Sequence, residues 1–273
     1  KKYIKANIPR RFNFTLPVGD SVFRTGVWEY ITDKISRDGA LHFSLIDPDP
    51  MRQAPDEAGR IARLACEAGT DAIMVGGSTA SDIDFTVKKI KENVNIPVIL
   101  FPGDLSGISK YADAIFFMSL LNSMNPYMII GAQAIAAPII KKMGIEPIPM
   151  AYIVMEPGAT AGYMGYAHLI PRSKPKIAAA YAMAAELIGY KLIYLEAGSG
   201  AESHVPVEAV SMISRSVGTP IIVGGGINTA EDARKIVKAG AGIVVQGTFV
   251  EKTVLKDGGK SLREIVKAVK SSR

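Results

Sequence analysis

Eight apolar segments, separated by amphipathic stretches, constrain the fold of this 273-residue chain more than any other feature. Most of them are followed by a glycine-rich or polar stretch and then by a helical pattern. The segments are residues 40–47, 71–78, 97–103, 114–122, 146–156, 192–199, 220–227 and 242–248. Runs such as Ile221-Ile222-Val223 are typical of strands that are buried on both faces. The pattern therefore predicts eight parallel strands that alternate with helices.

Eight such units form either a closed (β/α)8 barrel or an open, doubly wound sheet. The stretches that carry chemistry follow strands one, two, six, seven and eight, always at the carboxyl end. An open sheet gathers its ligand site at one switch point, whereas a barrel brings every strand end to one rim. We therefore predict an α/β fold, a TIM barrel in which residues 1–273 form a single domain. Residues 1–39 are expected to be an N-terminal extension with a helix over 27–35, and the glycines between 104 and 113 predict an irregular third helix.

Composition narrows the classes of protein that this chain can belong to. It has one cysteine, Cys66, which excludes an intrachain disulfide and a cysteine metal site. A formal net charge of +6 suits anionic small molecules or an anionic membrane surface, but no basic stripe with interleaved aromatic residues indicates nucleic-acid binding. The apolar run at 127–140 is too short to cross a bilayer, and the basic N-terminal segment lacks the apolar core of a signal peptide. We expect a soluble, cytoplasmic protein.

The three histidines are not expected to be catalytic. His42 lies within the first strand, where a hydrogen-bonded structural side chain is expected, whereas His168 and His204 fall in loops and should be solvated. The sequence contains neither an HExxH motif nor a nucleophile elbow. No GxGxxG follows the first strand, which argues against a dinucleotide-binding unit.

Phosphate binding is the chemistry that the sequence indicates most clearly. Three glycine-rich stretches end the last three strands: Ala197-Gly198-Ser199-Gly200, Gly224-Gly225-Gly226 and Gly247-Thr248. Glycine lets backbone N–H groups approach a phosphate, and a helix that begins behind such a loop adds its positive dipole end. Barrel enzymes commonly bind phosphate after strands seven and eight. The alternative is that these glycines only form tight turns, but three such stretches at one rim favour an anion site.

A magnesium site is predicted from Asp47 and Ser78. Asp47 ends the first strand and is followed by Pro48 and Pro50, which favour an extended exit from the strand. Ser78 follows the second strand and would add a hydroxyl ligand. Mg²⁺ prefers a carboxylate whose coordination is completed by water and substrate phosphates. Capping of a loop or helix is the alternative role for both residues, and Asp49 is expected to be a loop carboxylate.

Glu196 is the candidate general base. Alternation along the sixth strand places Tyr194 and Glu196 on one face and Leu195 on the other. If Leu195 packs against helices, Glu196 faces the barrel mouth beside a phosphate loop. A carboxylate there would accept a proton from a bound alcohol or stabilise a developing cation. A buried structural ion pair is the alternative.

Together these motifs resemble the geranylgeranylglyceryl phosphate synthase family, which includes bacterial heptaprenylglyceryl phosphate synthases. The resemblance extends over residues 41–251 and rests on the segments LIDPDP, DAIMVGGST, PVILFPG, ADAIFFMSLLNS, YIVMEPGATAG, YLEAGSGA, IIVGGGI and VVQGTFVE. The segment YLEAGSGA is a specific signature of the family. The chain length and the segment FFMSLLNS are similar to those of the larger, archaeal-type group.

The resemblance implies ether formation, in which the C3 hydroxyl of sn-glycerol 1-phosphate attacks C1 of geranylgeranyl diphosphate and releases pyrophosphate. It implies Mg²⁺ on Asp47 and Ser78 and proton transfer to Glu196. Because relatives form dimers or hexamers, it also implies a homo-oligomer, and peripheral membrane contact is a further expectation. The substrate-binding residues that it implies lie at the ends of the last three strands: Tyr194, Leu195, Glu196, Ala197, Gly198, Ser199, Gly200, Gly225, Gly226, Gly247 and Thr248.

Two positions depart from the family pattern. A basic residue often follows the DPD of relatives, where this chain has Pro50, so that one cationic contact to the diphosphate is missing or supplied elsewhere. Many relatives have Gly-Asn where this chain has Gly247-Thr248. The threonine hydroxyl keeps a hydrogen-bond donor at this position, so the change should be tolerated. The prenyl chain is expected in an apolar groove around residues 116–121, 124, 127 and 158–166, although an ordinary barrel core explains most of these residues equally well.

Two other functions stay open at this point. Another phosphate-binding barrel, such as an isomerase or synthase of phosphorylated metabolites, would use the same glycine loops without Mg²⁺ or an apolar channel. A non-catalytic sensor of phosphorylated ligands on the same scaffold would not need Glu196 as a base.

Overall fold

The computed structural model describes residues 26–48, 55–77 and 83–272. Eight parallel strands form a closed barrel in chain order, and the last strand pairs with the first. Each strand falls inside one of the eight apolar segments, so that the predicted TIM barrel is confirmed. The strands are β1 (Leu41–Ile46), β2 (Ala72–Gly77), β3 (Val98–Pro102), β4 (Ala114–Leu120), β5 (Glu146–Val154), β6 (Leu192–Glu196), β7 (Ile221–Gly224) and β8 (Ile243–Gln246).

Helices surround the barrel and begin and end where the sequence provides suitable residues. Thr229 caps one of them by accepting a hydrogen bond from the Asp232 N–H, and Gly240 lies just beyond its end at φ +115°. In the described ranges, no helix combines the length and the apolar character needed to cross a membrane. The helices are α1 (Val27–Asp38), α2 (Pro55–Ala68), α3 (Ile83–Lys91), α4 (Ala132–Met143), α5 (Ala159–Met164), α6 (Pro175–Ile188), α7 (Val207–Ser214), α8 (Ala230–Lys238), α9 (Thr248–Asp257) and α10 (Lys260–Lys270).

The connection between β3 and β4 departs from the regular repeat. All of its residues are described, and a short 3₁₀ turn at Leu105–Gly107 stands where a helix would be expected. Asp104 starts this turn by accepting hydrogen bonds from the N–H and the hydroxyl of Ser106. The irregular helix predicted between residues 104 and 113 is therefore confirmed.

Alternation along the strands separates two apolar layers. Phe43, Met74 and Tyr194 belong to the layer that fills the barrel interior. Ile73 and Leu195 belong to the layer between strands and helices. Each fully buried aliphatic side chain contributes about 1.5–3 kcal/mol relative to its exposed state. The two layers therefore supply most of the driving force that closes the barrel.

Helix α1 covers the amino-terminal end of the barrel. Its residues Val27 and Ile31 join the interior layer. The Glu146 carboxylate, at the start of β5, accepts hydrogen bonds from the N–H groups of Val27 at 2.8 Å and Trp28 at 3.1 Å. These amides have no partner inside the helix, and a carboxylate also suits the positive end of its dipole. The predicted helix over 27–35 is confirmed and continues to Asp38, whereas residues 1–25 of the predicted extension lie outside the described residues.

His42 is the buried polar centre on the outer face of β1. Its Nδ1 lies 2.9 Å from the Thr70 hydroxyl, and its Nε2 lies 3.0 Å from the Gln246 side-chain oxygen. Gln246 in turn donates to the Ile227 carbonyl at 2.7 Å. The expected structural role of His42 is confirmed, because both ring nitrogens have partners. Burial lowers the pKa of His42 from 6.5 to about 4.

Protein stability should therefore fall on acidification because the folded state holds His42 neutral. Its contribution is intact above pH 6.5, and it is lost as the pH falls from about 6.5 towards about 4, because only the unfolded chain then gains the proton. The loss should reach about 3 kcal/mol. Chemical unfolding between pH 8 and pH 4 should show a shallower decline for His42→Asn than for the wild type. His168→Asn, at an exposed ring, is the matched control, and equal slopes for wild type and His42→Asn would contradict this account.

Candidate active site

A pocket of about 320 Å³ opens at the carboxyl-terminal rim, between the ends of β6, β7 and β8. Eight of the eleven residues predicted to bind substrate line this pocket: Tyr194, Glu196, Ser199, Gly200, Gly225, Gly226, Gly247 and Thr248. Leu195 and Ala197 instead belong to the outer apolar layer, so that they present backbone rather than side chain to the rim. Gly198 does not line the pocket, and its N–H bonds to Glu196. The three glycine-rich stretches thus meet at one place, as the sequence predicts.

Close packing between two loops requires glycine at position 225. Gly225 has φ +78°, in the left-handed region. A Cβ atom there would lie 2.4 Å from Glu196 Oε1 and 2.5 Å from the Gly198 carbonyl oxygen. Contacts this short force a shift of the backbone or the carboxylate. The loop after β7 therefore lies directly against the carboxylate and the loop after β6, and this glycine does more than form a turn.

The pocket mouth offers hydrogen-bond donors from two further directions. The hydroxyls of Ser199 and Thr248 lie 3.0 Å apart and join the loop after β6 to the first residue of α9. The first N–H groups of α9 have no partner within the helix, and its positive dipole end lies at the rim. Helix starts, glycine amides and hydroxyls of this kind bind phosphate in many proteins. The arrangement is therefore suited to a phosphate group.

Glu196 lies at the end of β6 with only 5% of its surface exposed. Its Oε1 accepts a hydrogen bond from the Gly198 N–H at 2.6 Å, and its Oε2 accepts one from the Tyr152 hydroxyl at 3.0 Å. Burial raises the pKa of Glu196, while the bonds from Gly198, Tyr152 and Tyr194 act in the opposite direction. Among the described residues no cation forms an ion pair with it, so the structure gives no support to a buried ion pair. The carboxylate is held in place and has a pKa shifted towards that of a useful base.

An aromatic cluster fixes the two tyrosines beside Glu196. Phe101 stacks on Tyr194 at 5.4 Å between ring centroids, and Tyr152 meets Tyr194 edge-on at 5.1 Å. Burial, followed by the nearby negative charge of Glu196, raises the pKa of both tyrosines well above 10. Their hydroxyls therefore stay protonated and act as donors. Tyr152 was not predicted from the sequence, because it comes to stand opposite Tyr194 only through the pairing of β5 with β6.

Asp47 directly follows β1, and alternation places it on the same face as Phe43 and Leu45, which points into the barrel. Its backbone N–H donates to Glu251 Oε1 of α9 at 2.8 Å, which places the end of β1 beside the start of that helix. The other predicted metal ligand, Ser78, lies outside the described residues, as do Asp49 and Pro50. Within the described ranges, no group of three or more His, Cys, Asp or Glu side chains could hold a metal. Such a group is not required for Mg²⁺, which is often bound by one or two carboxylates together with substrate phosphates.

Helix α9 contributes pocket residues that the sequence analysis missed. Phe249, Lys252 and Thr253 line the pocket together with Thr248. The spacing i, i+4 between Thr248 and Lys252 would have indicated a shared helix face. Phe249, Lys252 and Thr253 lie beyond the glycine-rich stretches, which end at the first residue of this helix.

The loop after β6 also explains why the expectation for His204 is wrong. Its side chain is only 15% exposed, and its Nδ1 lies 2.7 Å from the Val205 carbonyl oxygen. The loop folds back over Gly226, where a Cβ atom would lie 2.5 Å from the His204 backbone nitrogen. The sequence does not reveal this folding back, because it depends on contacts between two loops. His168 is exposed, as expected.

The segments expected to form an apolar groove also meet at the rim. The Met124 N–H donates to the Tyr166 carbonyl oxygen at 2.9 Å, which ties the end of β4 to the end of α5. Met124, Tyr163 and Tyr166 are exposed large side chains, whereas Phe116 is buried in the barrel interior. The apolar residues expected around the prenyl chain thus comprise an exposed set at the rim and a buried set in the core.

Comparison with known proteins agrees with this geometry. The sequence profile of the PcrB family matches residues 33–269. The geranylgeranylglyceryl phosphate synthase of Thermococcus kodakarensis is 55% identical over 245 residues, which cover 88% of this chain and 96% of that protein. The protein of the same name from Methanothermobacter thermautotrophicus is 53% identical over 247 residues, which cover 90% and 99% of the two chains.

Solved structures extend the comparison to the fold. The crystal structure of (S)-3-O-geranylgeranylglyceryl phosphate synthase from Thermoplasma acidophilum, in complex with its substrate sn-glycerol-1-phosphate, has a TM-score of 0.86 and 45% identity, and the match covers 90% of this chain and 99% of that one. Thiamine phosphate pyrophosphorylase from Pyrococcus furiosus has a TM-score of 0.53 at 18% identity and covers 86% and 98%, which shows a common fold alone. Because the family profile spans most of the sequence and relatives above half identity cover nearly all of it, this chain belongs to the PcrB family.

Proposed function

We propose that this protein is a prenyltransferase that joins the C3 hydroxyl of sn-glycerol 1-phosphate to geranylgeranyl diphosphate and releases pyrophosphate. The observation that carries the proposal is the buried Glu196 carboxylate, hydrogen-bonded to Gly198, beside a glycine-lined pocket at the rim. The names of the relatives support it, as does the glycerol phosphate bound to the Thermoplasma acidophilum protein.

The pocket has the donors needed to orient glycerol phosphate. In the proposed complex, the phosphate lies on the amides around Gly200, Gly225 and Gly226 and on the hydroxyls of Ser199 and Thr248. The glycerol chain then extends towards Glu196, which lines the same pocket. Orientation of this kind lowers the activation barrier, because a reaction between two bound and aligned groups replaces the encounter of two free molecules.

The bond changes follow from this placement. The C3 oxygen of glycerol phosphate forms a bond to C1 of the prenyl diphosphate, while the bond between C1 and the diphosphate oxygen breaks and its electron pair leaves with pyrophosphate. The hydroxyl proton passes to the Glu196 carboxylate. The raised pKa of Glu196 favours proton acceptance, and the hydrogen bonds from Gly198 and Tyr152 keep the carboxylate in position.

We propose that Asp47, which follows β1 in the sequence, and Ser78, which follows β2, hold Mg²⁺. A carboxylate and a hydroxyl are oxygen ligands of the kind that this ion prefers, and a substrate diphosphate would complete the coordination. When bound, the ion would neutralise charge on the leaving pyrophosphate. The contact between the Asp47 N–H and Glu251 places this end of β1 next to the phosphate pocket, so that the two substrates would approach each other across β1 and β8.

Exposed apolar side chains at the rim and on the outer helices bear on the path of the prenyl chain and on assembly. We propose that the chain leaves the site along β4 and α5, where Met124, Tyr163 and Tyr166 are exposed. Exposed apolar side chains on the outer helices, such as Ile135 of α4 and Leu187 of α6, support a homo-oligomer. Peripheral membrane contact stays a prediction.

The proposed activity is tested with radiolabelled glycerol phosphate and prenyl diphosphates of several lengths. We expect a prenyl ether from sn-glycerol 1-phosphate, a much lower rate with the sn-glycerol 3-phosphate enantiomer, and loss of turnover with a chelator that added Mg²⁺ reverses. Absence of any prenyl transfer would contradict the proposal. Isomerisation of a phosphorylated metabolite that continues in the presence of chelator would favour the other class of barrel enzyme.

Glu196→Gln should reduce kcat by roughly 10²–10⁴-fold, because the amide no longer accepts the hydroxyl proton. The Kd for glycerol phosphate should change little, since the phosphate loops remain. Direct binding by calorimetry and single-turnover rates separate the two effects. Glu208→Gln, at an exposed carboxylate in the first turn of α7, is the control and should behave like wild type. A kcat within threefold of wild type for Glu196→Gln would exclude this residue as the base.

Tyr152→Phe should move the acid limb of the kcat/KM profile to higher pH by roughly one unit. The Tyr152 hydroxyl stabilises the ionised form of Glu196, so its removal raises the pKa of Glu196 further and leaves less carboxylate at a given pH. The measurement is kcat/KM as a function of pH, from pH 5 to 9. Tyr181→Phe, on α6 and away from the pocket, should leave the limb unchanged. An unshifted limb in Tyr152→Phe would assign this tyrosine to packing alone.

A further inference from the structure

The phosphate pocket contains two carboxylates but little positive charge. Glu196 and Glu202 both line it, whereas the glycine amides and the hydroxyls of Ser199 and Thr248 offer only dipoles. A phosphate monoester carries nearly two negative charges at neutral pH. Within the described part of the chain, Lys252 is the one lysine or arginine that lines this pocket. It belongs to none of the glycine stretches that indicated phosphate binding.

The position of Lys252 on α9 allows its side chain to reach the start of the helix at the pocket. It lies four residues after Thr248, so the two side chains share a helix face and are separated by roughly 6 Å along the axis. Side chains on a helix lean towards its N-terminus, and a lysine is long enough to cover one turn. A lysine at this position is therefore long enough for its ammonium group to reach the helix start, where the hydroxyls of Ser199 and Thr248 meet.

Lys252 is also available for a ligand. Its side chain is exposed, and in the ranges that the structure describes no carboxylate forms an ion pair with it. Lysine binds phosphate as a mobile point charge, which suits a position at the mouth rather than in the wall. We infer that Lys252 is a substrate-binding residue whose ammonium group contacts the phosphate of the glycerol substrate. This inference rests on the proposed function for the identity of the substrate, although not for the presence of a phosphate.

The same helix provides a matched control. Lys256 lies one further turn along the same face, roughly 12 Å from Thr248 along the axis. It is exposed like Lys252, but it does not line the pocket. Replacement of either lysine by glutamine removes one charge from one helix face and keeps a similar helix propensity. The two variants therefore differ mainly in distance from the phosphate.

The test measures binding of inorganic phosphate and of sn-glycerol 1-phosphate to the full chain by calorimetry. Lys252→Gln should weaken both Kd values by about 5- to 30-fold, a range discounted because the contact is exposed. Lys252→Arg should stay within about threefold of wild type, because it keeps the charge. Lys256→Gln should bind like wild type. The difference in Kd between wild type and Lys252→Gln should become smaller in about 1 M salt, where the charge of Lys252 is strongly screened.

Kinetics separate this inference from the proposed function. Lys252→Gln should raise KM for glycerol phosphate and leave KM for the prenyl diphosphate unchanged. Equal Kd values for wild type and Lys252→Gln would overturn the inference while prenyl transfer stood, and so would a rise confined to the prenyl diphosphate KM. If Lys252→Gln weakened phosphate binding but the wild type showed no prenyl transfer, the inference would stand and the proposed function would be overturned. If the wild type bound neither inorganic phosphate nor sn-glycerol 1-phosphate, both the inference and the proposed function would be overturned.

Discussion

The hydrogen bond from the Gly198 N–H to the Glu196 carboxylate joins the two halves of the site. The turn that begins the phosphate loop also holds the carboxylate, so neither can move without the other. Gly225 reinforces the link, because its missing Cβ lets the loop after β7 rest on both partners. A phosphate bound to these loops would therefore be placed at a fixed distance from the base, which is what a transfer between two bound molecules requires.

This arrangement depends on a barrel that tolerates a buried charge. Desolvation of Glu196 is unfavourable, and donors from Tyr152 and Gly198 offset part of its cost. Phe101 packs against both tyrosines and keeps the donors in place. At the opposite end, helix α1 and its contact with Glu146 cover the barrel interior. The closed end stabilises the fold, while the polar groups at the open end remain available for chemistry.

Sequence reasoning identified what depends on local pattern and missed what depends on contacts between distant segments. The eight strands follow from apolar runs, and the inward direction of Glu196 follows from alternation with Leu195. Tyr152 escaped notice because its role arises from pairing β5 with β6. Lys252 lies outside the glycine-rich stretches and becomes a pocket residue only because α9 begins at the rim. The partial burial of His204 depends on a loop that folds over Gly226. The magnesium-binding role of Asp47 and Ser78 stays a prediction from residue type and position, and the effect of Pro50 stays one from the resemblance.

The most direct test of the account is a crystal structure of the protein with sn-glycerol 1-phosphate bound. We predict that the phosphate lies against residues 199–200, 225–226 and the start of α9. The C3 hydroxyl should then lie within roughly 2.6–3.2 Å of a Glu196 carboxylate oxygen. A phosphate bound elsewhere on the barrel, or a C3 hydroxyl turned away from Glu196 with the phosphate in place, would contradict the account.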